Sequence, residues 1–257
     1  MKRIFLFLQF VVRYPRVLLP GKYIFIVSHM RSNSTLLSHI LGSNEEIAGG
    51  IEMMQSYQGY FDLLKLRLKG LKLAGRLKKY VLDKILSADF DVSEKVLKKY
   101  KPQIIILYRE AIPSLDSIAK MYKNHLGGED PLVRAIEYYL KRVDELIVYV
   151  KLSLDNQIPI VAIKSEQIIT DSDRVLLFLS KQYGLVNPLS EEYDMNEHTG
   201  KVKYGDPSDL IKTGKIIKDR KTKVEIELTK SQEEIIQKKY NELDEAVKKV
   251  PGINYQG

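Results

Sequence analysis

Three short apolar runs constrain the fold of this chain most strongly. They cover residues 23–27, 103–108 and 158–163, and a polar turn follows each of them. Continuously apolar runs of this length are typical of strands that are buried on both faces, as in a parallel sheet. Helical patterns surround them, at residues 34–41, 59–86, 114–125, 131–154, 171–183 and 231–249. The alternation predicts a three-layer α/β/α fold with a central, mainly parallel sheet.

The 257 residues are expected to form one domain, because no linker-like stretch interrupts the pattern. An apolar helix is expected at residues 1–20, with a membrane-surface anchor as the alternative. The run is too short to span a bilayer and shows no cleavage site, so a cytoplasmic location is expected, with the inner face of the membrane as an alternative within it. The final helix, at residues 231–249, has Ser231 and Glu234 in capping-box spacing.

The net charge of +8 predicts a surface that attracts anions, but charge alone does not choose among phosphorylated small molecules, acidic polymers and membranes. The chain has no cysteine, and its four histidines show no metal-ligand spacing. We therefore expect no metal site.

The polar turn after the first run reads Arg31, Ser32, Asn33, Ser34 and Thr35. A turn from a strand into a helix at the carboxyl edge of a parallel sheet is a natural anion site, because it presents unpaired N–H groups. The turn has no glycine, and Asn33 is the residue best suited to replace one in a left-handed conformation. The alternative is that Ser32 or Ser34 merely caps the helix.

This turn resembles the 5′-phosphosulfate loop of sulfotransferases, which bind 3′-phosphoadenosine 5′-phosphosulfate (PAPS). A second segment is similar to the 3′-phosphate segment of that family, with Arg109 at the end of a strand and Ser117 eight residues later on a helix. The resemblance implies a PAPS-binding enzyme in which a guanidinium and a hydroxyl converge on one phosphate. It extends over residues 22–216.

Three further segments resemble the family less closely. Glu166 matches the family's acid after a later strand, but Ser165 stands at the usual tyrosine position. Leu36 stands where cytosolic members often have a tryptophan, so the resemblance leaves adenine to pack on Leu36 or on a tyrosine. The segment 199–216 resembles a loop that closes over the nucleotide, and it offers three candidate contacts, Lys201, Lys203 and Gly205. Its alternative interpretation is an exposed basic loop.

Sulfuryl transfer needs a base beside the acceptor and cations beside the leaving oxygen. Bacterial and Golgi relatives carry a glutamate base shortly after the first helix, which implies this role for Glu52, while Arg31 faces the leaving group. His29 and His125 do not match the family's histidine base, so His29 is interpreted as packing or as loop support. The expected acceptor is a hydroxyl or amine of a saccharide or glycolipid.

The stretch 63–84 predicts a basic helix face with Lys65, Lys69, Lys72, Arg76 and Lys79, although residues 63–69 also fit an alternating strand. Such a face suits an anionic membrane or an acidic acceptor, and its alternative is an ordinary solvated surface.

Two rival functions are weighed against sulfuryl transfer. A P-loop phosphotransferase requires Gly-x-x-x-x-Gly-Lys-Ser/Thr, and the first turn lacks both glycine and lysine. A non-enzymatic nucleic-acid-binding protein fits the charge, but the sequence shows no recognised binding motif. No nucleic-acid partner is therefore expected.

Overall fold

The computed structural model describes residues 12–87, 89–123, 130–195, 199–200, 209–218 and 223–250. Five strands lie within these residues: β1 Lys22–Ser28, β2 Ile47–Ala48, β3 Tyr80–Ile85, β4 Gln103–Tyr108 and β5 Ile160–Lys164. The helices are α1 Ser34–Ser43, α2 Tyr60–Ala74, α3 Glu94–Tyr100, α4 Ala111–Lys123, α5 Pro131–Asp155, α6 Gln167–Thr170, α7 Ser172–Gln182 and α8 Lys230–Val247. Two 3-10 helices cover Pro15–Leu18 and Asp209–Thr213.

The five strands form one parallel sheet in the order β2-β3-β1-β4-β5. Alternate residues of the central strand β1 enter two separate core clusters, as the two-residue period of a strand requires. Phe25 and Val27 face the helices α2, α3, α4, α5 and α8, whereas Ile24 and Ile26 face α1, α6 and α7. The predicted three-layer α/β/α fold with a parallel central sheet is therefore confirmed.

The prediction of continuous helix over residues 59–86 is wrong at its second half. Helix α2 ends at Ala74, and the next residue, Gly75, has a φ of 68°, the left-handed conformation that commonly terminates a helix. Residues Tyr80–Ile85 then form β3, which is buried along its whole length. The alternating-strand interpretation of residues 63–69 is also wrong, because they lie within α2. Strand β2 and helix α3 were not predicted.

Both chain ends differ from the prediction. The final helix begins at Lys230, and its capping box is formed by Thr229 and Gln232 rather than by Ser231 and Glu234. The Gln232 N–H donates to Thr229 Oγ1 at 3.3 Å, and the Thr229 N–H donates to Gln232 Oε1 at 2.9 Å. At the amino end, most of the helix expected at residues 1–20 lies outside the described residues, and Pro15–Leu18 is a 3-10 helix.

Candidate active site

The carboxyl ends of β1, β3, β4 and β5 meet at one edge of the sheet, because all of these strands are parallel. The loop 29–33 follows β1 there, Arg109 follows β4, and Ser165 follows β5. Lys84, near the end of β3, reaches the same edge. Four chain segments thus contribute side chains to one site.

The loop 29–33 has the backbone shape that its sequence predicts. Asn33 has a φ of 60° and a ψ of 20°, so it holds the left-handed conformation in which a glycine would be expected. Its side-chain amide donates to Ser165 Oγ at 2.7 Å, which ties the loop to the end of β5. Among the described residues, no side chain caps α1, so the alternative that Ser32 or Ser34 merely caps this helix is wrong.

Ser32 holds the loop together from inside. Its side chain is fully buried, and its hydroxyl donates to the carbonyl oxygen of His29 at 2.8 Å. The neighbouring Ser28 hydroxyl donates to the Leu107 carbonyl at 2.6 Å, which joins β1 to β4. A contact between Ser32 and an anion stays a prediction, and its hydroxyl is directed into the loop.

The two predicted anion-binding segments meet in space. Arg31 Nε donates to Ser117 Oγ at 2.8 Å, and Arg109 Nη1 donates to the Arg31 carbonyl at 3.1 Å. Arg109 Nε also lies 3.7 Å from Glu166 Oε1, so this carboxylate orients the guanidinium. Two arginines and a hydroxyl, from segments about eighty residues apart in sequence, form one cationic cluster beside the loop.

His29 supports the loop, as the sequence predicts. The ring is fully buried, with Nδ1 2.8 Å from the Met30 carbonyl oxygen, so Nδ1 carries the proton. Nε2 then accepts the backbone N–H of Arg109 at 3.1 Å. Burial lowers the pKa of His29 to about 4, since an imidazolium would lose its hydration there.

A lowered histidine pKa predicts a specific acid sensitivity. The unfolded chain takes up the proton near pH 6.5 and the folded chain only near pH 4, so stability falls as pH drops between these values. From pH 7.5 to 4.5 the contribution of His29 to the free energy of unfolding falls by about 2 to 3 kcal/mol. Urea unfolding at both pH values should show this extra loss in the wild type and not in His29→Gln. Equal pH dependence in the two proteins would contradict it.

Glu52 approaches the loop through a buried lysine that sequence analysis missed. Lys84 Nζ lies 3.5 Å from Glu52 Oε2 and donates to Thr35 Oγ1 at 3.1 Å. The Lys84 side chain is almost completely buried. A buried ammonium needs such partners, because an unpaired charge in the interior costs several kcal/mol. Lys84 therefore connects the candidate base to the first turn of α1, directly after the loop 29–33.

Two glycines and a buried carboxylate fix the backbone around Glu52. Gly49 and Gly50 have φ values of 147° and 102°, and a Cβ on Gly49 would lie 2.5 Å from the Leu82 carbonyl oxygen. Asp83 Oδ1 accepts the N–H of Met53 at 2.9 Å, next to Glu52 in the chain. Burial raises the pKa of Asp83 to about 7.

Helix α5 supports the strand ends at the site. Arg142 is buried, and its guanidinium donates to the carbonyl oxygens of Ser28, at 2.9 Å, and of Ile85. Its third contact is an ion pair with Glu145 at 2.6 Å. Tyr138 accepts the backbone N–H of Met30 at 2.8 Å through its hydroxyl oxygen. Arg142 thus joins the ends of β1 and β3, the strands that carry the loop and Lys84.

The described part of the chain does not show the remaining predicted contact residues at the site. Leu36 is only 3% exposed and packs in the core, which leaves little surface on which adenine could stack. Lys201, Lys203 and Gly205 lie outside the described residues, as does His125. Thr199, two residues before Lys201 in the sequence, is hydrogen-bonded through its hydroxyl to His39 on α1 at 2.9 Å.

Within the described residues, no group of three or more acidic or histidine side chains is arranged to hold a metal ion. In the same part of the chain, no helix has the length and apolar character needed to cross a membrane.

A parallel sheet whose first strand leads through a polar loop into a helix defines a broad class of α/β proteins with their sites at the carboxyl edge. Within that class, the chain has the fold of bacterial sulfotransferase domains. It covers 97% of the sulfotransferase domain from the curacin biosynthetic pathway, using 86% of its own length, with 16% identity and a TM-score of 0.57. The chain also covers 94% of the sulfotransferase domain of the Synechococcus PCC 7002 olefin synthase, using 85% of its own length. In that comparison the sequence identity is 15% and the TM-score is 0.52. No family model and no curated protein matches the sequence.

Proposed function

We propose that this protein is a PAPS-dependent sulfotransferase that transfers a sulfuryl group to a hydroxyl or amine of a saccharide or glycolipid. The convergence of Arg31, Ser117 and Arg109 beside the loop 29–33 carries the proposal. A nucleotide with phosphates at both its 3′ and 5′ positions needs two anion sites a short distance apart, and this cluster supplies cations for both.

The 5′-phosphosulfate is assigned to the loop and the first turn of α1. There the N–H groups of the helix start and the Arg31 guanidinium stabilise the negative charge that develops on the leaving oxygen. The hydroxyls of Ser34 and Thr35 are further donors. The 3′-phosphate is assigned to Arg109 and Ser117, which are held beside Arg31 by the contacts described above.

The transfer itself is an in-line displacement at sulfur. The acceptor oxygen or nitrogen forms a bond to sulfur as the bond from sulfur to the 5′-phosphate oxygen breaks, and this oxygen keeps the electron pair. Glu52 takes the acceptor proton. Lys84, between Glu52 and Thr35, positions the carboxylate and adds positive charge on the side of the leaving group.

Calorimetric titration with 3′-phosphoadenosine 5′-phosphate, the desulfated product, tests the nucleotide site in EDTA. The wild type should bind with micromolar affinity. Arg109→Ala should weaken binding about 10- to 100-fold, because a charge-assisted hydrogen bond to phosphate is lost. AMP, which lacks the 3′-phosphate, should bind equally to both proteins.

Arg174→Ala is the matched control, because Arg174 is half exposed on α7 and pairs with Asp171 at 3.8 Å. Its affinity should equal that of the wild type. Preferred binding of Mg·ATP would instead favour a phosphotransferase, and absence of nucleotide binding would refute the proposed function. The cytoplasmic location expected from the sequence stays a prediction.

A further inference from the structure

The amino-terminal 3-10 helix packs along α2 and forms one continuous surface with it, the N-terminal face, made of residues 12–22 and 60–76. Val17, Leu64 and Leu71 form the buried seam between the two segments. Hydrogen bonds close the seam at its ends, from the Tyr60 hydroxyl to the Leu18 carbonyl and from the Tyr14 hydroxyl to the Gly75 carbonyl. The two segments are therefore held together as one surface.

Most of the chain's net charge lies on this face. Residues 12–22 and 60–76 contain eight lysines and arginines and a single carboxylate, Asp62, whereas the whole chain has a net charge of +8. Asp62 pairs with Lys65 at 2.9 Å, and the only other described ion pair of this group joins Arg76 to Glu45 at 3.8 Å. The two arginines of the amino-terminal segment, Arg13 and Arg16, are exposed.

Large apolar side chains stand among these cations. Val12 is 81% exposed, Leu19 is 59% exposed, and Phe61 is 74% exposed. Phe61 lies edge-on to Tyr60, with 5.7 Å between ring centroids, and Tyr60 in turn contacts Leu18. Exposed aromatic and aliphatic groups mixed with cations are the signature of a surface that enters the headgroup region of an anionic membrane.

We propose that the N-terminal face docks on the surface of an anionic lipid bilayer. The cations meet lipid phosphates and carboxylates, and Leu19 and Phe61 enter the boundary between headgroups and acyl chains. The residues before Val12 have a matching composition, because positions 1–11 read MKRIFLFLQFV, with two cations and no acid. Each cation that reaches such a surface strengthens binding roughly fivefold.

The docked orientation brings the candidate acceptor side near the membrane. Lys69, on α2, donates to Gln55 Oε1 at 3.0 Å and contacts the Met53 carbonyl at 3.5 Å. The N-terminal face thus adjoins the loop that carries Glu52. If the proposed function holds, on which this step rests, the acceptor is an amphiphile presented from the bilayer rather than a free sugar.

Vesicle flotation of the full chain tests the docking directly. Vesicles with about 30% phosphatidylserine in phosphatidylcholine should bind the protein at least tenfold more tightly than phosphatidylcholine alone, and added salt should weaken this binding. The double variant Arg13→Glu/Arg16→Glu should lose at least tenfold in affinity. Phe61→Ser should lose severalfold.

The double variant Lys230→Glu/Lys238→Glu is the control, because it makes the same charge change at exposed positions of α8. It should bind vesicles within twofold of the wild type. Three results would each overturn the proposal. They are equal binding to neutral and anionic vesicles, an unchanged vesicle affinity of Arg13→Glu/Arg16→Glu, and a dimer in sedimentation that Phe61→Ser dissociates. Titration of the same proteins with the nucleotide product reports separately on the proposed function.

Discussion

Glu52→Gln should lower sulfuryl transfer by about 10²- to 10⁴-fold while the affinity for the nucleotide product stays within about threefold. Glutamine keeps the shape of the side chain but cannot accept the acceptor's proton. Glu52 lies beside Lys84, which separates it from Thr35 in the first turn of α1. Its loss should therefore act on turnover and spare nucleotide binding.

Transfer of ³⁵S from labelled PAPS to octyl β-glucoside measures this effect, since that acceptor offers a sugar hydroxyl on an amphiphile. Glu45→Gln is the matched control, because Glu45 is exposed seven residues earlier and pairs only with Arg76 among the described residues. It should keep full turnover. Full turnover in Glu52→Gln would show that another group takes the proton.

The shape of the loop 29–33 was predictable because its signal is local. A buried apolar run leading into a polar turn specifies a strand, a loop and a helix start in consecutive residues, and Asn33 adopts the left-handed conformation that its position suggests. The meeting of Arg109 with Arg31 was predictable for a related reason. Parallel strands end at one edge, so residues that follow two such strands lie close together.

The surroundings of Glu52 were not predictable in the same way, because they depend on β3. Asp83 and Lys84 place two ionisable side chains near the end of that strand, whereas the periodicity of residues 59–86 predicts a helix there. Partners distant in sequence stabilise both groups there: Tyr57 and Met53 donate to Asp83, and Glu52 and Thr35 contact Lys84. No local pattern reports such partners.

Arg142 presents the same difficulty, because in sequence it resembles any charged residue of an amphipathic helix. In the structure it is buried and donates to the carbonyl oxygens that end β1 and β3. Its role follows from the arrangement of three elements that are distant in sequence. A buried arginine of this kind holds the ends of two strands in place.

Arg142→Ala should therefore lower the free energy of unfolding by about 3 to 5 kcal/mol. The change leaves two buried carbonyl oxygens and the Glu145 carboxylate without their donor, and it opens a cavity behind the loop 29–33. Urea unfolding measures the loss. Arg134→Ala, at a half-exposed position of the same helix beside Glu137, should change stability by less than about 0.5 kcal/mol.

The folded fraction of Arg142→Ala should also bind the nucleotide product less tightly than the wild type. The loop and Lys84 lie at the ends of the two strands that Arg142 joins, so their relative position loosens when the guanidinium is removed. Arg142→Lys should recover only part of the stability, because an ammonium cannot span both carbonyls and the carboxylate as a planar guanidinium does. Wild-type stability in Arg142→Ala would mean that water replaces the guanidinium, and that the two strands are held by the sheet alone.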